Sequence, residues 1–524
     1  MAPVPRYVFV GSGINALVGA AMLAKRKARV LVLERNDRIG GCIRTEALTG
    51  PGYIHDVMAT TFVLFVTGPA MEELGGDLAR HGVRFANTAS PTGVLRPDGS
   101  HLVLTTDREV NRAAFEGAGA GDGAALRSEI GYVEQNAEML FGLLGGQAYG
   151  GATAKLFAKA ALKGGTRNLL DTLGATLLPA RAWLETRFSS DLSRALFAPW
   201  CLHAGLGPET SFSGEMSRVI GFALEAAGAP IVEGGAERLT QALRAIIEEN
   251  GGTVRTGADV ARITTSRGKA TGVTLANGEA IAAGKGVVAS VAPGQLYHTL
   301  LSDEDAGGKR QAATAYRHGK ANFQIHYALN GLPDWGAEAL SEVALLHLTD
   351  GLDAVSKAVN EAERGLLPEV PTICVGQPHA LDPTRCPDGK AILWLQMPEA
   401  PRVVKGDAAG RIETPADQTW TPTLAEAYAD RIEGIVRAHI RNFDAIKGTR
   451  VVISPADLEA MNINLVGGDP YGGAATIDQF FLWRPFTDTV NHKTHIKNLY
   501  HIGASTHPGP GLGGGSGVLL ASSL

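Results

Sequence analysis

Apolar residues fall in short unbroken runs near both ends of the chain and in alternating or helical patterns between them. Tyr7 to Val10 is one such run, stopping at Gly11, and Arg29 to Leu33 is another, stopping at Glu34. Runs of this kind suit strands of a parallel sheet, which are buried on both faces. The intervening Asn15 to Arg26 carries a helical pattern, so this segment predicts a βαβ unit. From about Asp107 to Ala227 β-branched runs are scarce and Ala, Leu, Glu and Arg prevail, as in Ala180 to Arg187 and Ser189 to Leu196. That stretch predicts a helical insertion. Strand signals return at Gly252 to Val254, Val260 to Thr264, Ala270 to Leu275 and Gly286 to Val291, with Asn277-Gly278 as a hairpin turn. A second insertion is expected over 296–457. Its opening strand, Lys320 to Leu329, alternates: Lys320, Asn322, Gln324 and His326 point one way, and Ala321, Phe323, Ile325 and Tyr327 the other. The tail runs from a buried strand, Asn498 to Ile502, through a Gly-rich turn into a short apolar helix. No repeat of fixed period is evident.

Composition narrows the classes of function. With 524 residues, 45% apolar and 19% charged, the chain has material for several buried cores. A net charge of -5 gives no global field that attracts a polyanion, so nucleic acid is not an expected partner. Cys42, Cys201, Cys374 and Cys386 lie far apart with no CxxC pair, which argues against a dithiol redox centre and suits a reducing cytoplasm. The uncharged stretch Val57 to Met71 is interrupted by Gly68 and Pro69, so neither a signal peptide nor a spanning helix is expected. Thr153 to Lys163 reads as a helix with Lys155, Lys159 and Lys163 on one face, either solvated or laid on an anionic membrane surface. No HxxxH, HExxH or Cys/His spacing announces a metal, and no GxSxG announces a serine nucleophile.

Gly11-Ser12-Gly13-Ile14-Asn15-Ala16 is the GxGxxA form of the dinucleotide fingerprint, placed where it must be, after a strand and at the opening of a helix. Gly11 permits the tight turn, Gly13 lets backbone N–H groups approach a pyrophosphate, and Ala16 lets the helix lie close on the sheet. Glu34, at the end of the second strand, is placed to accept hydrogen bonds from ribose hydroxyls. Arg38-Ile39-Gly40-Gly41-Cys42-Ile43-Arg44 extends the motif beyond what a nicotinamide enzyme needs, and the chain shows no second fingerprint for a separate NAD(P)H site. Reoxidation is therefore expected from oxygen, a quinone or another diffusible acceptor.

These segments, with Pro51-Gly52-Tyr53-Ile54-His55-Asp56, Val232-Glu233-Gly234-Gly235 and Asn498 to Gly509, resemble the FAD-dependent phytoene desaturase family. Within it, the strand opening Lys320 to Phe323 and the stretch Leu482 to Pro485 are most similar to the branch called pyridine nucleotide-disulfide oxidoreductase domain-containing protein two. The flavin amine oxidases are more distant, because Ala504 and Leu512 stand where those enzymes carry an acidic residue and a flavin-facing aromatic. The resemblance implies FAD as cofactor and an α/β fold: a discontinuous Rossmann-like FAD domain of glutathione-reductase type from residues 1–80, 228–295 and 458–524. Residues 81–227 and 296–457 would form an inserted α+β substrate domain with a mixed sheet and a helical part. The expected FAD contacts are Gly11, Ser12, Gly13, Asn15, Ala16, Glu34, Arg35, Gly41 and Arg44, then Val260, then Gly503, Ala504, Leu512, Gly513, Gly514 and Val518.

Lys320 resembles the lysine that holds a water near flavin N5 in the wider superfamily. Its polar strand face either lines a cavity or meets solvent. His203 is a second catalytic candidate, as a proton shuttle or as a packing residue. His55 and His507 are expected to orient backbone, and Arg484 to pair with a phosphate or carboxylate or to sit in a surface ion pair. The resulting expectation is an FAD-dependent enzyme that removes hydride from a carbon centre of a largely apolar or ring-bearing small molecule. An amine oxidase on the same scaffold, or a flavoprotein with a redox-neutral isomerase or partner-binding role, stands as the alternative. Peripheral membrane contact and homo-oligomerisation stay open.

Overall fold

In the computed structural model, which describes residues 4–58 and 60–524 with the side chains at 163, 164 and 168 left aside, the chain builds two principal sheets. The Lys163 position of the basic helix face thus lies outside the described side chains. The first sheet is parallel and has five strands, in the spatial order Leu499–Ile502, Gly286–Ser290, Tyr7–Val10, Val30–Leu33, Thr253–Arg255. The N-terminal strand sits at its centre, and the strand order reverses beside it. In open parallel sheets that reversal opens a crevice beyond the C-terminal strand ends, where ligands bind. The helix Ile14–Lys25 is buried along its whole length except Lys25, because it lies between this sheet, the helix Glu237–Glu249 and the C-terminal helix Gly515–Ser523. Only small residues allow the last of these contacts: a Cβ on Gly517 would stand 1.9 Å from the Asn15 carbonyl oxygen.

The second sheet is mixed and has seven strands: Lys447–Ile453, Ala321–Leu329, Ala391–Ala400, Ile373–Gly376, Leu345–Leu348, Thr92–Leu95 and His101–Leu104. Its neighbours are antiparallel except Leu345–Leu348 with Thr92–Leu95, so the two inserted segments of the chain share one sheet. One face carries Phe323, Ile325, Tyr327, Leu393, Leu395 and Met397 and is covered by Leu424, Tyr428, Ile432 and Val436 of the helix Pro422–His439. The other carries Asn322, Gln324, His326, Gln396, Cys374 and His347. Both faces are covered, and every residue from Ala321 to Leu329 is buried. The polar face of this strand therefore does not meet bulk solvent. Helices follow over the stretch where β-branched runs are scarce, among them Arg108–Ala118, Asp122–Gly145 and Ser213–Ala227. The hairpin turn falls at Asn277-Gly278, between Lys269–Leu275 and Ala280–Ala282. Among the described residues no helix is long and apolar enough to cross a membrane.

Two buried contacts tie the short strand His55–Asp56 to the second inserted segment. Arg385, with no exposed surface, donates to Asp56 at 3.0 Å, to Asp382 at 2.9 Å and to the Val232 carbonyl at 2.8 Å. Asp56 and Asp382 in turn accept from the backbone N–H groups of Ala236 and Gly234. The second contact is the pair His55 and His326, whose Nδ1 atoms lie 3.3 Å apart.

Candidate functional site

The fingerprint loop takes the geometry its glycines permit. Gly11 has φ +92°, and a Cβ there would meet the Ser290 carbonyl at 2.9 Å, so the ends of two neighbouring strands close on each other. Gly13 begins the helix with extended backbone, and no side chain caps that end. A Cβ at Gly13 would meet nothing within 4 Å. A helix start with uncapped N–H groups and open space in front is a fit for a pyrophosphate. Glu34 is buried at the end of its strand; it accepts from the Ser12 N–H at 3.0 Å, the Ser12 hydroxyl at 2.6 Å and the Asn36 N–H at 3.0 Å. Gly40 bridges to Gly13 and donates to the Ser12 carbonyl, which sets the second glycine pair, Gly40 and Gly41, against the loop. These residues fit a dinucleotide such as FAD.

Other expected contacts arrive from separate chain segments. Glu34 donates its N–H to Arg255, and its carbonyl accepts from Ala258, which brings Val260 close behind the same strand end. Gly503 donates to the Ser516 hydroxyl at 2.9 Å, and the Ser516 N–H donates to the Asn15 side-chain oxygen at 3.1 Å. Asn15 thus ties the two chain ends together. Gly514 caps the C-terminal helix, which begins at Gly515. Val518 is buried in the core around the N-terminal helix, Leu512 packs partly exposed against that core, and Gly513 lies close to Leu64.

Arg44 forms an ion pair with Glu46, and Arg35 approaches Asp259 at 3.9 Å on the surface. Arg484 is not part of a surface pair: it is 1% exposed and donates to the carbonyls of Ala504 at 2.8 Å and Tyr471 at 2.6 Å. A guanidinium offers five donors in a fixed fork, which suits it to gather carbonyls at a crowded loop. Here it positions Ala504.

Lys320 stands just before its strand and is buried, 3.4 Å from both the Gly205 carbonyl and the Glu363 carboxylate. Its neighbour Gly319 donates to Asp469, which also receives the N–H groups of Tyr471 and Gly473. Gly472, in this turn, lies against Ala504 and Ser505. The lysine backbone and the C-terminal glycine segment are therefore linked through one loop. Burial pushes the Glu399 carboxyl up to about 7, against opposing hydrogen bonds from Thr372 and the nearby charge of Lys320.

His203 faces His347, Nε2 to Nε2 at 2.9 Å, with Trp200 packed on both rings. Burial lowers the His203 pKa to about 4 and holds His347 well below its usual value, so both rings are neutral. His347 is paired in register with Cys374, and donor atoms of His203, His347 and Cys374 all lie within 4.8 Å of one another. No sequence spacing announced this group, because its members come from a 3-10 turn and two strands spread over 172 positions. The only available signal was strand parity, which puts His347 and Cys374 on one sheet face once their pairing is known.

His55 and His326 form a second neutral pair. The His326 Nε2 lies 3.2 Å from the Val57 carbonyl, which only accepts, so this nitrogen donates and Nδ1 accepts from His55. The His55 Nε2 then accepts from the Thr49 hydroxyl at 2.8 Å. His55, expected to orient backbone, instead bonds two side chains and links its hairpin to the seven-stranded sheet. His507 reaches the Gly146 carbonyl at 2.7 Å.

Residues 17–392 match the family described as flavin containing amine oxidoreductase. The chain is 26% identical to pyridine nucleotide-disulfide oxidoreductase domain-containing protein 2 of Mus musculus, over 98% of this chain and 92% of that protein. It is 30% identical to the lycopene-forming phytoene desaturase of a Paracoccus species, over 56% of this chain and 54% of that enzyme. Among solved structures, putrescine oxidase bound to putrescine superposes with a TM-score of 0.62 at 12% identity, over 99% of each chain. That last likeness concerns the fold.

Proposed function

The chain belongs to the flavin containing amine oxidoreductase family and is an FAD-dependent oxidoreductase, and on that premise we propose that it desaturates or dehydrogenates a largely apolar small molecule at a carbon centre. The likeness to a phytoene desaturase supports this reading over C–N oxidation. So do Ala504 and Leu512, which stand where amine oxidases carry an acid and an aromatic. The FAD half is read as the glutathione-reductase type, with residues 1–80, 228–295 and 458–524 as its segments, and 81–227 and 296–457 as the substrate domain.

When bound, FAD supplies the two-electron acceptor chemistry. The protein's part is to hold it and to present the substrate. The Gly13 helix start and Gly41 would face the pyrophosphate, Glu34 the ribose, and the Gly503 to Gly514 backbone the ring, with Arg484 fixing Ala504. The polar face of the seven-stranded sheet closes the opposite side, away from water. Lys320 would hold or move a proton at its Nζ, with the buried Glu399 as a nearby acid, and His203 is the second candidate. Electrons leave to oxygen or a quinone. The free cysteines suit a reducing compartment. Lys155 and Lys159, beside the 87% exposed Leu162, would carry a peripheral contact with an anionic membrane. Self-association is part of this reading as an open state of assembly.

Anaerobic mixing with candidate substrates tests the proposal. Bleaching of the flavin by an alkene-forming substrate is expected, and bleaching by amines alone, or rapidly by NADPH, overturns it. Lys320→Met keeps the aliphatic stem and should retain FAD while slowing one half-reaction by about 10²–10⁴. Stopped-flow absorbance shows which: slower reduction marks substrate proton handling, and slower reoxidation marks oxygen activation. Two unchanged rates remove Lys320 from the chemistry.

A further inference from the structure

His203, His347 and Cys374 make a set of donors that flavin chemistry does not require. His347 is 1% exposed, and its Nδ1 has no hydrogen-bond partner. No hydrogen bond to the Cys374 thiol is present among the described residues. A simple contact between two histidines would use one N–H and one lone pair and would need no thiol at the same point. We propose that His203, His347 and Cys374 form a binding site for one soft monovalent cation, Cu(I), on the inward face of the seven-stranded sheet.

The geometry is close to what such an ion needs. Ligand bonds of about 2.0 Å to nitrogen and 2.3 Å to sulfur set donor separations of roughly 3.3–4 Å. One ligand atom from each of the three residues lies within 4.8 Å of the other two, so small side-chain rotations complete the set. The register pairing of His347 with Cys374 fixes two ligands on adjacent strands, and Trp200 walls the third. Ligand softness selects copper(I) or zinc among common ions. Charge separates those two. One thiolate and two neutral imidazoles leave no net charge around a monovalent ion but one uncompensated positive charge around a divalent one. No carboxylate belongs to this group among the described residues, and an unpaired buried charge is costly. Binding replaces the S–H bond of Cys374 by an S–Cu bond and releases the proton to solvent, with no change of oxidation state. It also takes the His203 lone pair, so a loaded site and proton transfer at His203 exclude each other.

Anaerobic titration of the FAD-loaded enzyme with Cu(I) against bicinchoninate tests the site. The parent should withhold one equivalent per chain, and X-ray absorption should show two nitrogen scatterers and one sulfur. Cys374→Ser and His347→Asn should each weaken retention at least about tenfold at unchanged flavin content. Equal retention by the parent and Cys374→Ser overturns the site. Preference for Zn(II) over Cu(I) in matched competition overturns the charge argument. Should both variants fail to fold, a parent spectrum without a sulfur scatterer overturns it as well. None of these readouts depends on turnover, so they stand apart from the test of the oxidoreductase reading.

Discussion

In the parallel sheet, the strands Tyr7–Val10 and Val30–Leu33 are apolar and buried throughout, and the polar groups Ser12 and Glu34 stand just past the strand ends. In the seven-stranded sheet the polar groups Asn322, Gln324, His326, His347 and Gln396 stand within the strands. The difference follows from what covers each sheet. Helices pack on one face of the first and the small sheet Val260–Ser266, Lys269–Leu275, Ala280–Ala282 on the other, which leaves chemistry to the loops at one edge. The second packs one apolar face under the helix Pro422–His439, while its other face mixes apolar residues such as Val94, Leu104, Leu345 and Trp394 with donors and acceptors. On the proposed reading, a cofactor would be gripped by loops at an edge and a substrate met by this mixed face.

The largest expected effect tests whether the edge depends on the joining of the two chain ends. Gly517→Val drives side-chain atoms into the Asn15 carbonyl. Overpacking against backbone should cost more than about 3 kcal/mol and leave protein without flavin. Gly13→Ala meets open space and has helix-compatible φ, so its fold should survive with a normal melting temperature while FAD retention falls. If both variants melt alike, the edge is not a separable loop site. Next in size is the buried ion cluster that ties the strand His55–Asp56 to the second insertion. Arg385→Met leaves Asp56 and Asp382 facing each other without their cation, at an expected cost of about 3–5 kcal/mol in denaturant unfolding. A cost under about 1 kcal/mol would mean that apolar packing alone holds this segment in place.

How much was legible in the sequence follows the same division. The edge site was readable because Gly11, Gly13 and Glu34 lie within one βαβ unit, where local spacing is geometry. The parity of Lys320 to Leu329 was readable too, but not what covers each face, since that depends on strands up to His101 and back to Lys447. The pairs His203 with His347 and His55 with His326 were not readable. Each joins residues 144 or 271 positions apart, and nothing local in the chain marks one member for the other. The burial of Arg484 also escaped, because an Arg-Pro step at the surface and one beneath a glycine loop read alike.

A smaller effect is expected at Glu34. Glu34→Ala removes a charged acceptor from the edge, worth about 1.5–3 kcal/mol, so FAD should bind about tenfold or more weakly in equilibrium dialysis. Unchanged retention would shift the grip from Glu34 to the backbone N–H groups alone.

The smallest effect lies where the regions touch, at His55 and His326, and it appears only in acid. Burial lowers His55 to about 2, helped by His326 and Arg385, and lowers His326 to about 4. In the unfolded chain both titrate near 6.5. Between pH 6.5 and 4 the unfolded state therefore binds more protons than the folded one, and stability falls as pH falls. Each such histidine contributes a slope of about 1.4 kcal/mol per pH unit in that window and none well above it. His326→Asn removes one of the two titrating rings, so its unfolding free energy should lose roughly one proton's worth of slope below pH 6. At pH 8 it should differ from the parent only by the hydrogen bond lost to His55, about 1 kcal/mol. Denaturant unfolding at pH 5, 6 and 8 measures both. An unchanged slope would mean that His326 is charged in the folded protein, and its contact with His55 would then be an ionic one rather than a neutral hydrogen-bonded chain.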